Sequence, residues 1–284
     1  MSAREPRCDL AVVGAPFLDL VFEGLPAAPT VGREILARQL LASMGGTGLQ
    51  AIAASRTGAM TSLVAPRGTD RFGAWLDELL ATEGIRRSGR SVATTPVTAV
   101  LPGPEGTAMV TAAPTDEPTP EEVASTRPAA VLLSLGRRRL APAGARIFCV
   151  TGPAELEAGV TLDAAVGAEA LIVNAHEAMA LTGAGDADEA TRGIAVRTPL
   201  AVVTLDRGGA QAIEDGQIIR VGPTTVSSGH ATGAGDVFAG TLAASLVLGA
   251  SLREALNTAT LQATQAAAGA TALDGLGPRP LTQP

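Results

Sequence analysis

At 284 residues, with 46% hydrophobic side chains, the chain can bury the core of one large domain. Its 28 acidic and 21 basic residues give a formal net charge of −7, which argues against a general nucleic-acid surface, because phosphate contacts need clustered Lys and Arg. Aromatics are only 2%, with no Tyr, which counts against a site that grips its ligand by ring stacking. Cys8 and Cys149 follow no disulfide or metal spacing and fit a reducing cytoplasm. The start MSAREPRCDL has no apolar h-region, and no apolar run approaches the roughly 20 residues of a membrane helix. Neither a signal peptide nor a membrane partner is expected.

In chain order, residues 10–14 (LAVVG) form a short apolar run closed by glycine, which predicts a buried strand. Residues 48–58 are Ala-rich and helix-compatible, and 62–64 read as a strand. Over 70–84, Phe72, Trp75, Leu76, Leu79 and Leu80 recur at helical spacing, with Gly84 as C-cap. The Thr-, Val- and Ala-rich stretch 91–113 predicts a β-hairpin turning at 103–106, and the Pro- and acid-rich stretch 113–128 a surface segment. Apolar runs at 129–135, 146–150, 171–174 and 200–204 then alternate with mostly helix-like segments, and an Ala-rich helix or helix pair fills 234–270. Strands alternating with helices predict an α/β fold with a mainly parallel sheet covered on both faces.

The most informative stretch is SGHATGAGDVFAG, residues 228–240. Gly233, Ala234 and Gly235 let backbone approach an anion, and the helix they open presents unpaired N–H groups and a positive dipole end. Asp236 lies in the first turn, where a carboxylate can take a proton from a hydroxyl. A tight turn with an N-terminal Asp would have the same letters.

TGAGDVFAGTLAASLVLGASLREAL resembles the C-terminal signature of the PfkB, or ribokinase-like, family of carbohydrate and nucleoside kinases. MGGTGLQAIAASRTGAMTSLVAPRGTDRFGAWL, residues 44–76, is similar to the family's first signature, with its Gly-x-Asp-x-Phe-Gly turn at Gly68, Asp70, Phe72 and Gly73. The resemblance implies one kinase domain over 1–284, a three-layer α/β/α arrangement around a mostly parallel central sheet, and a small β-lid formed by about 21–38 and 91–113. It further implies ATP-dependent phosphorylation of a hydroxyl on a sugar or sugar-like molecule, with Asp236 as base and Gly233, Ala234 and Gly235 as anion hole. Asp19, Gly45, Gly46 and Gln50 would hold the substrate. Thr204, Asp206, Gly208, Gly209 and Asn174 would bind the nucleotide, and Glu177, in the family's Asn-x-x-Glu motif, would order water on Mg²⁺. Asn174 and Glu177 also have the spacing of a helix-capping pair. A homodimer through the lid occurs in relatives.

The chain departs from the family at several positions. Thr47 and Gln50 replace the usual Lys and Asn, and Asp206 replaces a Gly. His230 and Ala231 replace an Asp-Thr pair, which counts against K⁺ activation. Between the strands at 129–135 and 146–150 only GRRRLAPAGA remains, too short for a full crossover helix, so that connection must be irregular or one strand displaced. The alternatives are a nucleoside kinase of the same fold, which the scarcity of aromatics disfavours, and a homologue that binds ligand without turnover. A dinucleotide site is disfavoured, as no G-x-G-x-x-G follows the first strand.

Overall fold

The first strand, β1 (Cys8–Val13), shows how the molecule is layered. Leu10 and Val12 point into one apolar cluster, while Ala11 and Val13 point into another. Successive strand side chains face opposite ways, so a strand buried on both faces lies inside a sandwich. The computed structural model describes residues 8–103, 106–112, 116–222 and 232–277. The expectations at His230 and Ala231 lie outside the described residues.

The N-terminal half continues with β2 (Pro16–Glu23), β3 (Gln39–Gly46), α1 (Thr47–Arg56), β4 (Thr61–Val64), β5 (Arg67–Gly68), α2 (Arg71–Thr82), β6 (Arg86–Ser88), β7 (Ser91–Val92), β8 (Val97–Gly103) and β9 (Gly106–Ala112). Next come α3 (Pro120–Ser125), β10 (Pro128–Ser134), β11 (Arg146–Val150), α4 (Pro153–Glu157), β12 (Ala170–Asn174), α5 (Ala175–Thr182) and α6 (Ala187–Ala195). The chain ends with β13 (Leu200–Thr204), β14 (Ala210–Glu214), β15 (Gln217–Val221), α7 (Ala234–Val247), α8 (Leu252–Ala268) and α9 (Ala272–Gly275).

Nine strands form the main sheet in the order β15-β14-β13-β12-β11-β10-β1-β4-β6. Pairing is parallel from β6 across to β13 and antiparallel for the last two strands. Helices α1, α2, α7 and α8 pack one face, and α3, α5 and α6 the other. This is the three-layer α/β/α arrangement of the ribokinase-like fold. None of the described helices is long and apolar enough to cross a membrane. Cys8 and Cys149 are buried and form no disulfide.

The short connection between β10 and β11 resolves as the irregular case. The strands remain parallel neighbours, and a 3-10 helix, Leu135–Leu140, replaces the crossover helix. Leu135 and Leu140 are buried, and Arg137 and Arg139 both reach Glu117. The surface stretch 113–128 contains α3, which opens on a capping box between Thr119 and Glu122 with Pro120 in the first turn.

A second, four-stranded sheet stands apart, ordered β3-β2-β8-β9. The hairpin of 91–113 is present as β8 and β9, turning between Gly103 and Gly106. Its partner strands are Pro16–Glu23 and Gln39–Gly46, and most of 21–38 is the connection between them rather than strand. Asp70 anchors this sheet to the body. Its carboxylate N-caps α2 by accepting from the Gly73 N–H and accepts from both the N–H and the hydroxyl of Thr95, just before β8.

Candidate active site

In the main sheet β1 lies between β10 and β4, so the chain leaves β1 toward one side and later fills the other. A parallel sheet opens a crevice at such a reversal, outside the carboxyl ends of its strands. The segments leaving β1, β12 and β13 at that edge carry the residues singled out above.

Helix α7 brings the anion cradle and the carboxylate. Its N-cap, Gly233, has φ 105, a left-handed conformation that glycine tolerates, and a Cβ there would lie 2.6 Å from Leu49 Cδ2. Ala234 and Gly235 form the start of the first turn. No side chain among the described residues caps this end, so its first N–H groups are free to meet an anion. A Cβ on Gly235 would meet nothing within 4 Å among the described residues. Asp236 follows, half-buried. Burial pushes its carboxyl up to about 7, the Gln50 amide pulls it down, and the charges of Asp19 and Glu177 push it up again. The Gln50 Nε2 donates to Asp236 Oδ1 over 2.7 Å.

Asp19 sits on β2, opposite Ser43 on β3 and Thr98 on β8. Burial raises its carboxyl to about 6, against the lowering effect of the Thr98 hydroxyl. Gly45 packs directly on it: a Cβ there would lie 2.2 Å from Asp19 Oδ2. Gly46, at φ 57, closes against Phe17 and turns the chain into α1. Asp19, Ser43 and Val100 line a cleft of about 580 Å³ together with Thr232 and the α8–α9 turn through Gly269 and Thr271. Asp236 does not line this cleft; Thr232, four residues before it, does, and the charge of Asp19 acts on Asp236.

Asn174 and Thr204 end neighbouring strands side by side, since β12 pairs with β13 in the register Asn174↔Thr204. The Asn174 side chain accepts from the Glu177 N–H, and Glu177 Oε2 accepts from the Asn174 N–H. This capping box holds Glu177 at the edge, 7% exposed, with burial raising its carboxyl. Beyond Thr204 the chain makes a tight turn. Asp206 has φ 48, and Gly209 has φ 87. A glycine suits the Asp206 position because the backbone is left-handed there, and Asp is among the few other residues that adopt it readily. The Asp206 side chain is exposed. Among the described residues no three His, Cys, Asp or Glu side chains gather to hold a metal ion.

Sequence reasoning missed three contacts. The first is the Gln50 bond to Asp236, which links residues far apart in the chain. The second is Thr98, which lies beside Asp19 only because β2 and β8 pair. The third is Thr47, whose hydroxyl donates to the Gly14 carbonyl over 2.8 Å and so fastens α1 to the end of β1. Only strand pairing or helix packing creates these neighbours, and no local pattern announces them.

Residues 140–273 match the pfkB family of carbohydrate kinases. No curated protein matches the chain significantly. Among solved structures, a ribokinase from Thermotoga maritima is similar at 18% identity and a TM-score of 0.80, over 96% of this chain and 97% of its own. A ribokinase from Arabidopsis thaliana, complexed with ribose and ATP, is similar at 21% identity and a TM-score of 0.79, over 97% of each chain. An adenosine kinase from Sinorhizobium meliloti is similar at 18% identity and a TM-score of 0.79, also over 97% of each.

Proposed function

We propose that this pfkB-family phosphotransferase, whose acceptor is a hydroxyl group, moves the γ-phosphoryl group of ATP onto a sugar or sugar-like polyol, with Asp236 as the base. One observation carries the reading. A carboxylate raised to about 7 stands in the first turn of a helix that no described side chain caps, beside a cleft lined by a second carboxylate, Asp19. A base poised near neutral pH suits removal of a hydroxyl proton. Open N–H groups next to it suit the charge of a transferring phosphoryl group.

The substrate would lie under the four-stranded sheet, which acts as a lid on a single kinase domain. Asp19 accepts two hydroxyl hydrogen bonds, and Gly45 and Gly46 keep that approach clear. The described lining of the cleft contains no aromatic residue, which supports a polyol over a nucleoside. Thr204, Asp206, Gly208, Gly209 and Asn174 form the edge along which the nucleotide would lie. Mg²⁺ on the nucleotide would neutralise phosphate charge, and Glu177 would hold water toward it. Asp236 accepts the hydroxyl proton as the oxygen attacks phosphorus, while the N–H groups of Ala234 and Gly235 receive the developing charge. Closing the lid excludes water and limits idle ATP hydrolysis.

A homodimer through the lid has support in strand register. Leu20, Phe22, Leu40, Ala42, Ala99 and Val110 share the sheet face turned away from Asp19. Leu40 is 56% and Val110 66% exposed. Buried free thiols at Cys8 and Cys149 fit a cytoplasmic setting.

The test is ADP release from MgATP across pentoses, hexoses, sugar acids, sugar phosphates and nucleosides, with Asp236→Asn beside the wild type. One stimulating compound whose effect the variant abolishes supports the reading. Binding of ATP or sugar with no stimulated release by any compound would sink it and leave a binding protein.

A further inference from the structure

Gln50 sits where the family signature usually has Asn, and the resemblance gives that position to the sugar. Its surroundings point elsewhere. The side chain is 5% exposed, and its Nε2 donates to Asp236 Oδ1 over 2.7 Å. The backbone behind it is pinned to the same helix that carries Asp236. A Cβ on Gly240 of α7 would lie 2.2 Å from the Gln50 carbonyl oxygen, so only glycine lets α1 and α7 meet this closely. Donor and acceptor therefore ride on two helices locked backbone to backbone.

The other end of the amide is equally informative. Gln50 Oε1 is buried with no hydrogen-bond partner among the described residues. A buried unpaired carbonyl is unfavourable, and Leu or Met would fill the space without it. The amide is best explained by its N–H. The charged groups that act on Asp236 from other elements are Asp19 on β2 and Glu177 on α5, and both disfavour its ionised form. Against them, Gln50 is the one side chain among the described residues that favours it. With Oδ1 held by Gln50, Oδ2 is left to receive a proton.

We propose that Gln50 is a positioning residue for Asp236: its amide N–H fixes the carboxylate through Oδ1, so that Oδ2 faces the substrate hydroxyl. Gln50 thus serves the base and not the sugar. This rests on the reading of Asp236 as the base.

The experiment compares wild type with Gln50→Met and Gln50→Glu. Met keeps the volume and removes the donor; Glu keeps the shape and adds a like charge. Asp236 is titrated by carbon-detected NMR, its resonance assigned by its loss in Asp236→Asn. The pH profile of kcat/KM is recorded with whichever compound stimulates ADP release. Loss of a hydrogen bond to a charged group should move both the titration and the acid limb up by about one pH unit in Gln50→Met. The move should be larger in Gln50→Glu, with KM for the acceptor changed by no more than about twofold in the Met variant. The opposite pattern overturns the proposal: an acceptor KM raised about tenfold or more, with the Asp236 titration unmoved. Should the Met variant fail to fold, the titration in the near-isosteric Glu variant decides alone. A titration that moves in a protein where Asp236→Asn leaves turnover intact upholds the Gln50 contact and overturns the reading of Asp236 as the base, so the two failures are distinguishable.

Discussion

Asp236→Asn should make the protein more stable at alkaline pH, and by an amount that grows with pH. The ordinary carboxyl value is 3.8, and in the folded chain it stands at about 7. Between those values the native state holds a proton that the unfolded chain has released, so stability falls as pH rises. The fall is about 1.4 kcal/mol per pH unit, and it ends once Asp236 is ionised in both states. Between pH 5 and pH 8 the wild type should therefore lose about 2–3 kcal/mol through this group. The Asn variant has no such loss. Asp19, raised to about 6, titrates in both proteins, so its own slope largely cancels in the difference. Chemical denaturation at pH 5, 6, 7 and 8, with linear extrapolation to water, measures the gap directly. In a chain of this size the gap corresponds to roughly 3–5 °C in melting temperature. On the proposed reading of Asp236 as the base, the same variant should lose about 10²–10⁴-fold in turnover. A gap that stays flat from pH 5 to pH 8 would show that Asp236 has an ordinary carboxyl and would refute the reasoning.

Gly45→Ala should weaken substrate use without unfolding the chain. The new Cβ displaces the flexible Asp19 carboxylate, which it would approach to 2.2 Å, and losing a charged hydrogen bond lowers kcat/KM about 10–100-fold while the melting temperature hardly moves. Steady-state kinetics with the acceptor varied checks it. Asp206→Val should cost about 1–2 kcal/mol in denaturant unfolding, because a β-branched residue resists φ 48, whereas Asp206→Gly should be close to neutral. Asn174→Ala should cost about 1 kcal/mol through loss of the cap on α5, and it should also weaken nucleotide use by freeing Glu177. Thermal unfolding and the KM for MgATP report the two effects separately.

The parallel body was readable from sequence because its strands are buried on both faces. LAVV, VLLS and LAVV at β1, β10 and β13 are uninterrupted apolar runs closed by Gly or polar residues. The four-stranded sheet was harder. Its strands are only partly buried, and β9 is exposed throughout, so burial left a weaker imprint there. The hairpin turn at Gly103 and Gly106 was visible, while the ends of β2 and β3 were blurred by the irregular connection between them. Helix α3 was hidden by its acidic, Pro-rich neighbourhood, although Thr119, Pro120 and Glu122 spell a capping box that a search for caps would find. In the site, Asp236 and its glycines were legible because one helix turn holds them all. The pairing of Gln50 with Asp236 was not, because it depends on how closely two helices pack at Gly240.

The abbreviated link between β10 and β11 has a practical consequence. It starts at the edge where the proposed chemistry lies, but it ends at the opposite edge of the sheet. There Ala143 and Gly144 are exposed, and a Cβ on Gly144 would meet nothing within 4 Å. Lengthening a flexible loop is thermodynamically mild, at about 0.6 kcal/mol for each doubling. A reporter peptide or a whole folded domain spliced after Ala143 would hang from the far side of the molecule. That makes this short-cut the natural grafting point for tethering the protein to a surface, or for fusing it to a second enzyme, with the cleft left unobstructed.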